Sequence, residues 1–524
     1  MIQRPQRSSS TFRIPERSGE VLIDPPLTHV PALLDAGRAR TWGRAEVLGI
    51  SLGEFRRRVR DRALSIADSR NPGEAVDPAA PLVVMGHQPV FFHPGVWFKF
   101  FLLTRLAEEM RATALHLRVD TDVAGPIGAP IPAQADHLSR RTEILLDLPA
   151  DAPIEAATPP TGRAWEDFCT RVRGHLATLP SPRVRGCFEA FVADAAEARG
   201  GADTLGQFLA RARRRYEARS APPRYLELAV SALSDTPEFR AFALHLVQDP
   251  GGFRTRYNTS LESYRRIHRL RSAANPFPNL DESDGFQETP FWVVRGERRG
   301  NLYAQRGGDR IRLRTAAESL ADLPAGPAGV DALGASGLRI RPRALTLTMF
   351  ARLCLGDLFV HGVGGGRYDR VTDEVIAETF GCAPPPYIVA TATLMLPLLG
   401  DGEVTEDRRV IERRLMDLQH NPDRYLGVRS DAQRRLVDEK WTLIRAVEEM
   451  PPGPERRAAT HRIRELNAML AQGLADEIVR VRSQLTALDG SSAALEAASF
   501  RGYPFFLFDP TTVSQLAGVP TRSA

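Results

Sequence analysis

Residues 83 to 105 read VVMGHQPVFFHPGVWFKFFLLTR, and the folding of this stretch decides the rest. An apolar run, PLVVM, ends at Gly86. A short loop follows, carrying Gly86, His87, Gln88, His93 and Gly95, and the apolar-periodic segment Val96 to Met110 comes next. The pattern predicts strand, polar loop, helix. In an open α/β sheet such a loop sits at the carboxyl end of a strand beside a helix N-terminus, whose free N–H groups favour an anionic ligand.

The base composition points to the same stretch. Of 69 Lys+Arg residues, only Lys99 and Lys440 are lysine. Arginine was therefore accepted almost everywhere a cation was wanted, whereas Lys99 kept a compact, titratable ammonium one turn into the helix that follows the loop.

A second apolar run, ALHLRV, ends in RVDTDVAG and delivers Asp120 and Asp122. Two strands joined by a helix form a βαβ unit with both carboxyl ends on one sheet edge, so the histidine loop and the two aspartates should face one cleft. Carboxylates there can orient an amine or hold a cation, and one can act as general base.

At 524 residues the chain exceeds one ordinary core. Residues 1–75 read as an N-terminal lead-in and helix, 76–150 as the first part of an α/β core, and 151–275 as an arginine-rich helical insertion. Residues 276–403 read as the second part of the core, 404–490 as a helical coiled-coil region, and 491–524 as a tail returning to the core. Within the insertion, His175, His245 and His268 fall at helical positions suited to packing. PFWVVRGERRGNLYAQRGGDRIRLR reads as three short strands, in which Arg295 and Arg306 are phosphate-compatible but undistinguished.

The second informative stretch is DLFVHGVGGGRYDRV. A strand carries His361, then come Gly364, Gly365 and Gly366, then Tyr368, Asp369 and a helix. Glycines after a strand let the backbone approach a ligand, and the helix N-terminus adds an anion site. The spacing is neither a dinucleotide fingerprint nor a P-loop.

Toward the C-terminus, Ile463, Leu466, Leu470, Leu474, Ile478, Val481, Leu485 and Leu488 recur at steps of three and four. Pro451, Pro452 and Pro454 mark a turn. Asp431 to Met450 and Pro454 to Leu488 are therefore expected to form an antiparallel helical hairpin, packed internally or used to form a homodimer.

A net charge of +5 comes from 69 bases interspersed with 64 acids. That mixture describes a solvated surface rather than a nucleic-acid footprint. No run of about 18 apolar residues indicates a membrane span, and a cytoplasmic location is the default expectation. Cys169, Cys187, Cys354 and Cys382 form no CxxC pair, so they read as reduced thiols.

With these parts in order, the chain resembles the bacillithiol-biosynthesis cysteine-adding enzymes, the cysteine ligase family, as a distant relative. The resemblance lies in GHQPVFFHPGVWFK, where the family has a GQQ-type loop and a lysine-bearing helix. It lies also in the acidic strand end at Asp120 and Asp122, in FVHGVGGGRYD and in the long C-terminal helices. It implies a Rossmann-like core with a helical insertion and a coiled coil supporting a dimer. The activity implied is carbon–nitrogen ligation, joining an amino acid to a small amine-bearing acceptor in a nucleotide-type cleft, with ATP or ADP as the expected nucleotide. Three departures stand out: a histidine replaces the family's first glutamine, a second histidine occupies the loop, and the acidic motif is shorter.

These lines combine into one hypothesis. His87, His93 and Lys99 stabilise developing negative charge. Asp120 or Asp122 anchors or deprotonates an attacking amine. Gly86, Gln88 and Gly95, with His361, Gly364, Gly365, Gly366, Tyr368 and Asp369, bind the nucleotide or substrate. One alternative is a metal-dependent hydrolase with a divalent ion held by His87, His93, Asp120 and Asp122. Another is a non-catalytic nucleotide-binding scaffold built on the helical hairpin.

Overall fold

The structure, a computed structural model, describes residues 12–67, 77, 79–123, 125–134, 138–270, 272, 277–398, 403–427, 430–451, 453–488 and 492–520. The lead-in before residue 12, residues 75, 76 and 78 at the boundary with the α/β core, and Pro452 of the expected turn lie outside these residues.

The chain is mixed α/β, organised on a sheet of parallel strands. Tyr387–Ala392, Leu358–His361, Leu82–His87, Thr113–Arg118 and Leu226–Ala229 lie side by side in that order, all parallel. Val21–Asp24 closes one edge antiparallel to Tyr387–Ala392. From Leu82–His87 the chain moves outward through two strands to one edge, then returns to place Leu358–His361 on the other side. Strand order therefore reverses between Leu82–His87 and Leu358–His361, and the crevice beyond their carboxyl ends is where such sheets bind ligands.

Side chains alternate across the sheet, as strand geometry requires. Val83, Met85 and Ala114 enter one apolar core. Leu82, Val84, Leu115, Leu117 and Phe359 enter the other. Covering the first face is the helix Pro94–Glu109, which buries Trp97, Phe98 and the run Phe100–Leu103. It is apolar nearly all round because it is enclosed on all sides. The tail segment Phe505–Leu507 closes over it, with the Phe505 ring 5.2 Å from Phe92 and 5.3 Å from Trp97.

Two parts of the sheet lie in regions whose sequence read otherwise. The lead-in supplies Val21–Asp24, and the stretch read as a helical insertion supplies Leu226–Ala229 after the helices Gly162–Ala177, Pro182–Arg199 and Leu205–Ala218. Both strands have only four residues, too few to display a period. The helix Leu52–Ile66 is packing material: Leu52, Phe55, Val59 and Ala63 are buried, and Arg56 reaches Asp357 at 2.7 Å.

A second sheet is antiparallel, in the order Ser319–Pro324, Arg310–Arg314, Arg298–Gly307, Phe286–Arg295 and Arg339–Pro342. It brings Trp292 and Arg299, with Arg343 just beyond its strand Arg339–Pro342, to a cavity shared with the parallel sheet.

The helices Glu403–His420, Asp431–Glu449, Pro454–Gln472 and Ala475–Leu488 form the C-terminal region. Asp431–Glu449 packs on Pro454–Gln472, and Glu403–His420 on Ala475–Leu488. The helix expected to run unbroken from Pro454 to Leu488 is interrupted by a turn at Gly473 and Leu474. Its apolar seam is therefore shared between two helices. The other lysine, Lys440, is buried here against Asp423. Among the described residues, no helix is long and apolar enough to cross a membrane.

Candidate functional site

The crevice at the reversal of strand order holds a buried cation. Lys99 is 3% exposed and makes no hydrogen bond or ion pair with any described residue. Its Nζ lies 3.7 Å from the position a Cβ on Gly362 would occupy. Burial lowers its pKa from 10.5 to about 8, so the ammonium persists at neutral pH with no counter-charge among the described residues.

Gly362 is the N-cap of the helix Val363–Phe380 and supplies no side-chain cap. Its carbonyl accepts from the amide of Gly366 at 2.9 Å, the first bond of the helix. The amides of Val363, Gly364 and Gly365 thus have no intrahelical acceptor. The glycines, expected in a loop before the helix, form its first turn. Gly364 and Gly365 are exposed, whereas Gly366 faces inward, where a Cβ would come 2.2 Å from Val389 Cγ2. An ammonium near the N-terminus of an 18-residue helix is an arrangement whose charge and dipole favour an anion.

The two loop histidines are neutral, for identifiable reasons. His87 has its pKa lowered to about 3 by burial and by the nearby Lys99 charge. Its Nδ1 lies 2.9 Å from the Gln88 carbonyl, to which it must donate. Nε2 therefore presents a lone pair, and His87 accepts rather than donates beside Lys99. This corrects the expectation that it stabilises negative charge. His93 is lowered to about 4 by burial, then by Arg501 and Lys99. It caps the helix Pro94–Glu109, its Nδ1 accepting from Gly95 N–H at 3.0 Å. Gly95 is required by close packing, since a Cβ there would lie 2.5 Å from the Ala392 carbonyl oxygen.

The two aspartates, expected to act together, separate. Asp120 is buried and accepts from Ser231 N–H at 2.9 Å and Ser231 Oγ at 2.6 Å, so its carboxylate is taken up by the next crossover. Burial raises its pKa. Asp122 lines the cavity and accepts from Gln88 Nε2 and, at 2.7 Å, from Arg299. Among the described residues, no group of three or more His, Cys, Asp or Glu side chains could hold a metal ion. The donor set of the metal-hydrolase alternative therefore does not form.

On the opposite face of the sheet lies a cavity of about 350 Å³. Gly86, Leu117, Val119, Phe359 and His361 form its floor, Gly365, Tyr368 and Asp369 one wall, and Trp292, Arg299 and Arg343 the wall from the second sheet. Both arginines stack on Trp292, with guanidinium carbons 4.4 Å and 4.0 Å from its ring centre. His361 directs Nε2 at Asp369 Oδ2, 2.7 Å away, and Asp369 also takes Arg352 Nη1 at 2.7 Å. Burial alone would raise the Asp369 pKa, but Arg352 and His361 hold it at about 2. A carboxylate kept ionised fixes the Nε2–H tautomer of His361 and leaves Nδ1 as its basic nitrogen.

Most of the predicted residues fall into two sets. His87, His93, Gly95 and Lys99 belong to one face of the sheet edge; Gly86, Asp122, His361, Gly365, Tyr368 and Asp369 belong to the cavity on the other. Lys99 beside Gly362 joins them. Arg299, Arg343 and Arg352 carry no distinguishing signal in an arginine-rich sequence, and Trp292 reads there as one apolar position of a strand. The signal at Arg118 is a cation closing an apolar strand. No family model matches the chain, and no curated protein matches it.

Proposed function

We propose that this chain is a ligase-like enzyme with a Rossmann-like core, of the cysteine-adding type, that joins an amino acid to a small amine-bearing acceptor at a nucleotide-type cleft. The observation that carries the reading is Lys99, a buried ammonium without a partner among the described residues, at the reversal of strand order. It adjoins three free amides of a glycine-rich helix N-terminus. An uncompensated buried charge is costly, and an anionic ligand supplies the missing counter-charge. A phosphate of ATP or ADP has the charge and acceptor oxygens that Lys99 and the amides of Val363, Gly364 and Gly365 would satisfy. When bound, the nucleotide supplies the means of activating a carboxylate.

The remaining chemistry belongs to the chain's own side chains. The cavity beside His361 takes the amine-bearing acceptor, with its aromatic walls excluding water. Asp122, positioned by Gln88 and Arg299, holds the acceptor's amine. His361 accepts a proton from that amine at Nδ1, and the Asp369 carboxylate balances the imidazolium that forms. His87, kept neutral beside Lys99, adds no second positive charge to the crevice.

The test is turnover. Purified protein incubated with ATP, cysteine and a panel of small amines should release phosphate or pyrophosphate and form an amide detectable by mass spectrometry. A Lys99→Met variant should be inactive, and His361→Gln should retain binding but lose turnover. Nucleotide-independent product formation would remove the nucleotide from the reading.

A further inference from the structure

Among the described residues, five arginines are buried: Arg56, Arg118, Arg213, Arg341 and Arg352. Four hold carboxylates. Arg56 is on Asp357, Arg213 on Glu217 and Glu227, Arg341 on Glu155 and Asp235, and Arg352 on Asp369 and Asp373. Arg118, 6% exposed, makes no hydrogen bond or ion pair with any described residue, and its Nε is fully buried without an acceptor. Other arginines with a buried, unpaired Nε, such as Arg343 and Arg501, use an amino group elsewhere; Arg118 uses none. Its charge is felt by Asp120 and Glu227, but Asp120 is bonded to Ser231, and Glu227 to His116 and Arg213.

The place of this guanidinium gives it meaning. Arg118 ends its strand directly opposite His87 on Leu82–His87. It stands on the sheet face that carries Met85 and Lys99's helix, because residues two apart share a face. Its Nε lies 3.7 Å from the position of a Cβ on Gly206, in the first turn of the 14-residue helix Leu205–Ala218. In that turn Leu205 N–H donates to the Ala157 carbonyl, Gln207 N–H to Thr204 Oγ1 and Phe208 N–H to the Thr204 carbonyl. The Gly206 amide has no acceptor among them. Lys99 and Arg118 are thus the two buried Lys or Arg side chains without a partner among the described residues, and both stand at one sheet edge.

We propose that Arg118 and the Gly206 amide form a second oxyanion subsite, beside the one at Lys99, for a carboxylate or phosphate group of a bound reactant. A planar guanidinium presents paired donors that match two oxygens of either group. The inference rests on the ligase-like reading only for which reactant carries the anion.

Equilibrium dialysis of the full chain at pH 7 with labelled inorganic phosphate, and in a second arm labelled acetate, tests it. Wild type should bind two oxyanions per chain; Arg118→Gln should lose one and keep the other, and Lys99→Gln should do the reverse. The probe lost on Arg118→Gln identifies the group. Without added anions, Arg118→Gln should melt no lower than wild type, since an unpartnered cation has been removed. Arg118→Lys, which keeps the charge but not the fork, should bind at least several-fold more weakly. Unchanged stoichiometry and affinity in Arg118→Gln, or no Arg118-dependent binding of either probe, would overturn the proposal. A lower melting temperature in Arg118→Gln would do the same, by showing that the guanidinium is structural. Unchanged binding in Lys99→Gln alone would instead remove the Lys99 reading and leave this one standing.

Discussion

The Lys99 ammonium stands 3.7 Å from where a Cβ on Gly362 would be, so the lysine of one crossover helix reaches the uncapped N-terminus of another. The two helices follow the two strands between which strand order reverses. A Cβ at Gly362 would meet the Lys99 Nζ and Cε at ordinary contact distance.

Replacing Lys99 by Met should raise the stability of the ligand-free protein at pH 7. Burial holds the ammonium at about 8 against 10.5 for an unburied lysine, so the penalty is fully present below pH 8. Between those two values unfolding takes up a proton, and wild-type stability should rise with pH. The difference, on the order of 3 kcal/mol by the standard conversion, should shrink across that window in denaturant melts of wild type and Lys99→Met. An equal difference at pH 7 and pH 10.5 would show that the ammonium is not desolvated.

Acid should weaken the fold through His87. Its pKa is about 3 in the folded protein and 6.5 ordinarily, so the unfolded chain gains a proton first and stability falls as pH drops between those values. His87→Gln should flatten that part of the stability curve. A curve parallel to wild type from pH 6.5 to pH 4 would show that His87 titrates normally.

Legibility in the sequence followed periodicity. Leu82–His87 and Pro94–Glu109 were readable because an apolar run and an amphipathic-to-apolar helix each fill enough residues to display a period. Val21–Asp24 and Leu226–Ala229 were not, since four residues show no alternation and their assignment depends on neighbours far along the chain. The residue types of the site were visible at His87, Lys99, Asp122 and His361. Which of them share a face was not, because one residue of register decides the face. Asp120 and Asp122 look equivalent in DTD, yet a serine 111 positions after Asp120 takes one of them as its partner.

Asp369→Asn should destabilise the protein by about 3 kcal/mol, the usual scale for breaking a buried pair. It would leave the fully buried Arg352 on Asp373 and the Pro385 carbonyl alone. His361→Gln should lower stability far less and abolish turnover. Thermal melts of both variants check the contrast; equal stability losses would make His361 a structural member of the network.

Gly95→Ala and Gly364→Ala should behave differently. A Cβ at Gly95 would lie 2.5 Å from the Ala392 carbonyl oxygen and 2.6 Å from Thr391 Oγ1, whereas one at Gly364 meets nothing within 4 Å. Overpacking against backbone lowers stability by about 1–3 kcal/mol, and an open position changes it by less than about 0.5 kcal/mol. Chemical denaturation reads both, and a tolerated Gly95→Ala would show that the helix can retreat from the sheet.

Whether Lys99 holds a phosphate group is tested most directly by a calorimetric titration of wild type and Lys99→Met with ATP at pH 7. Wild type should bind one nucleotide, and its melting temperature should rise with saturation, by about 2.7 kcal/mol of stability at a hundred-fold excess over Kd. Lys99→Met, though more stable alone, should show neither heat nor shift. Equal binding by both proteins, or none by wild type, would contradict the account.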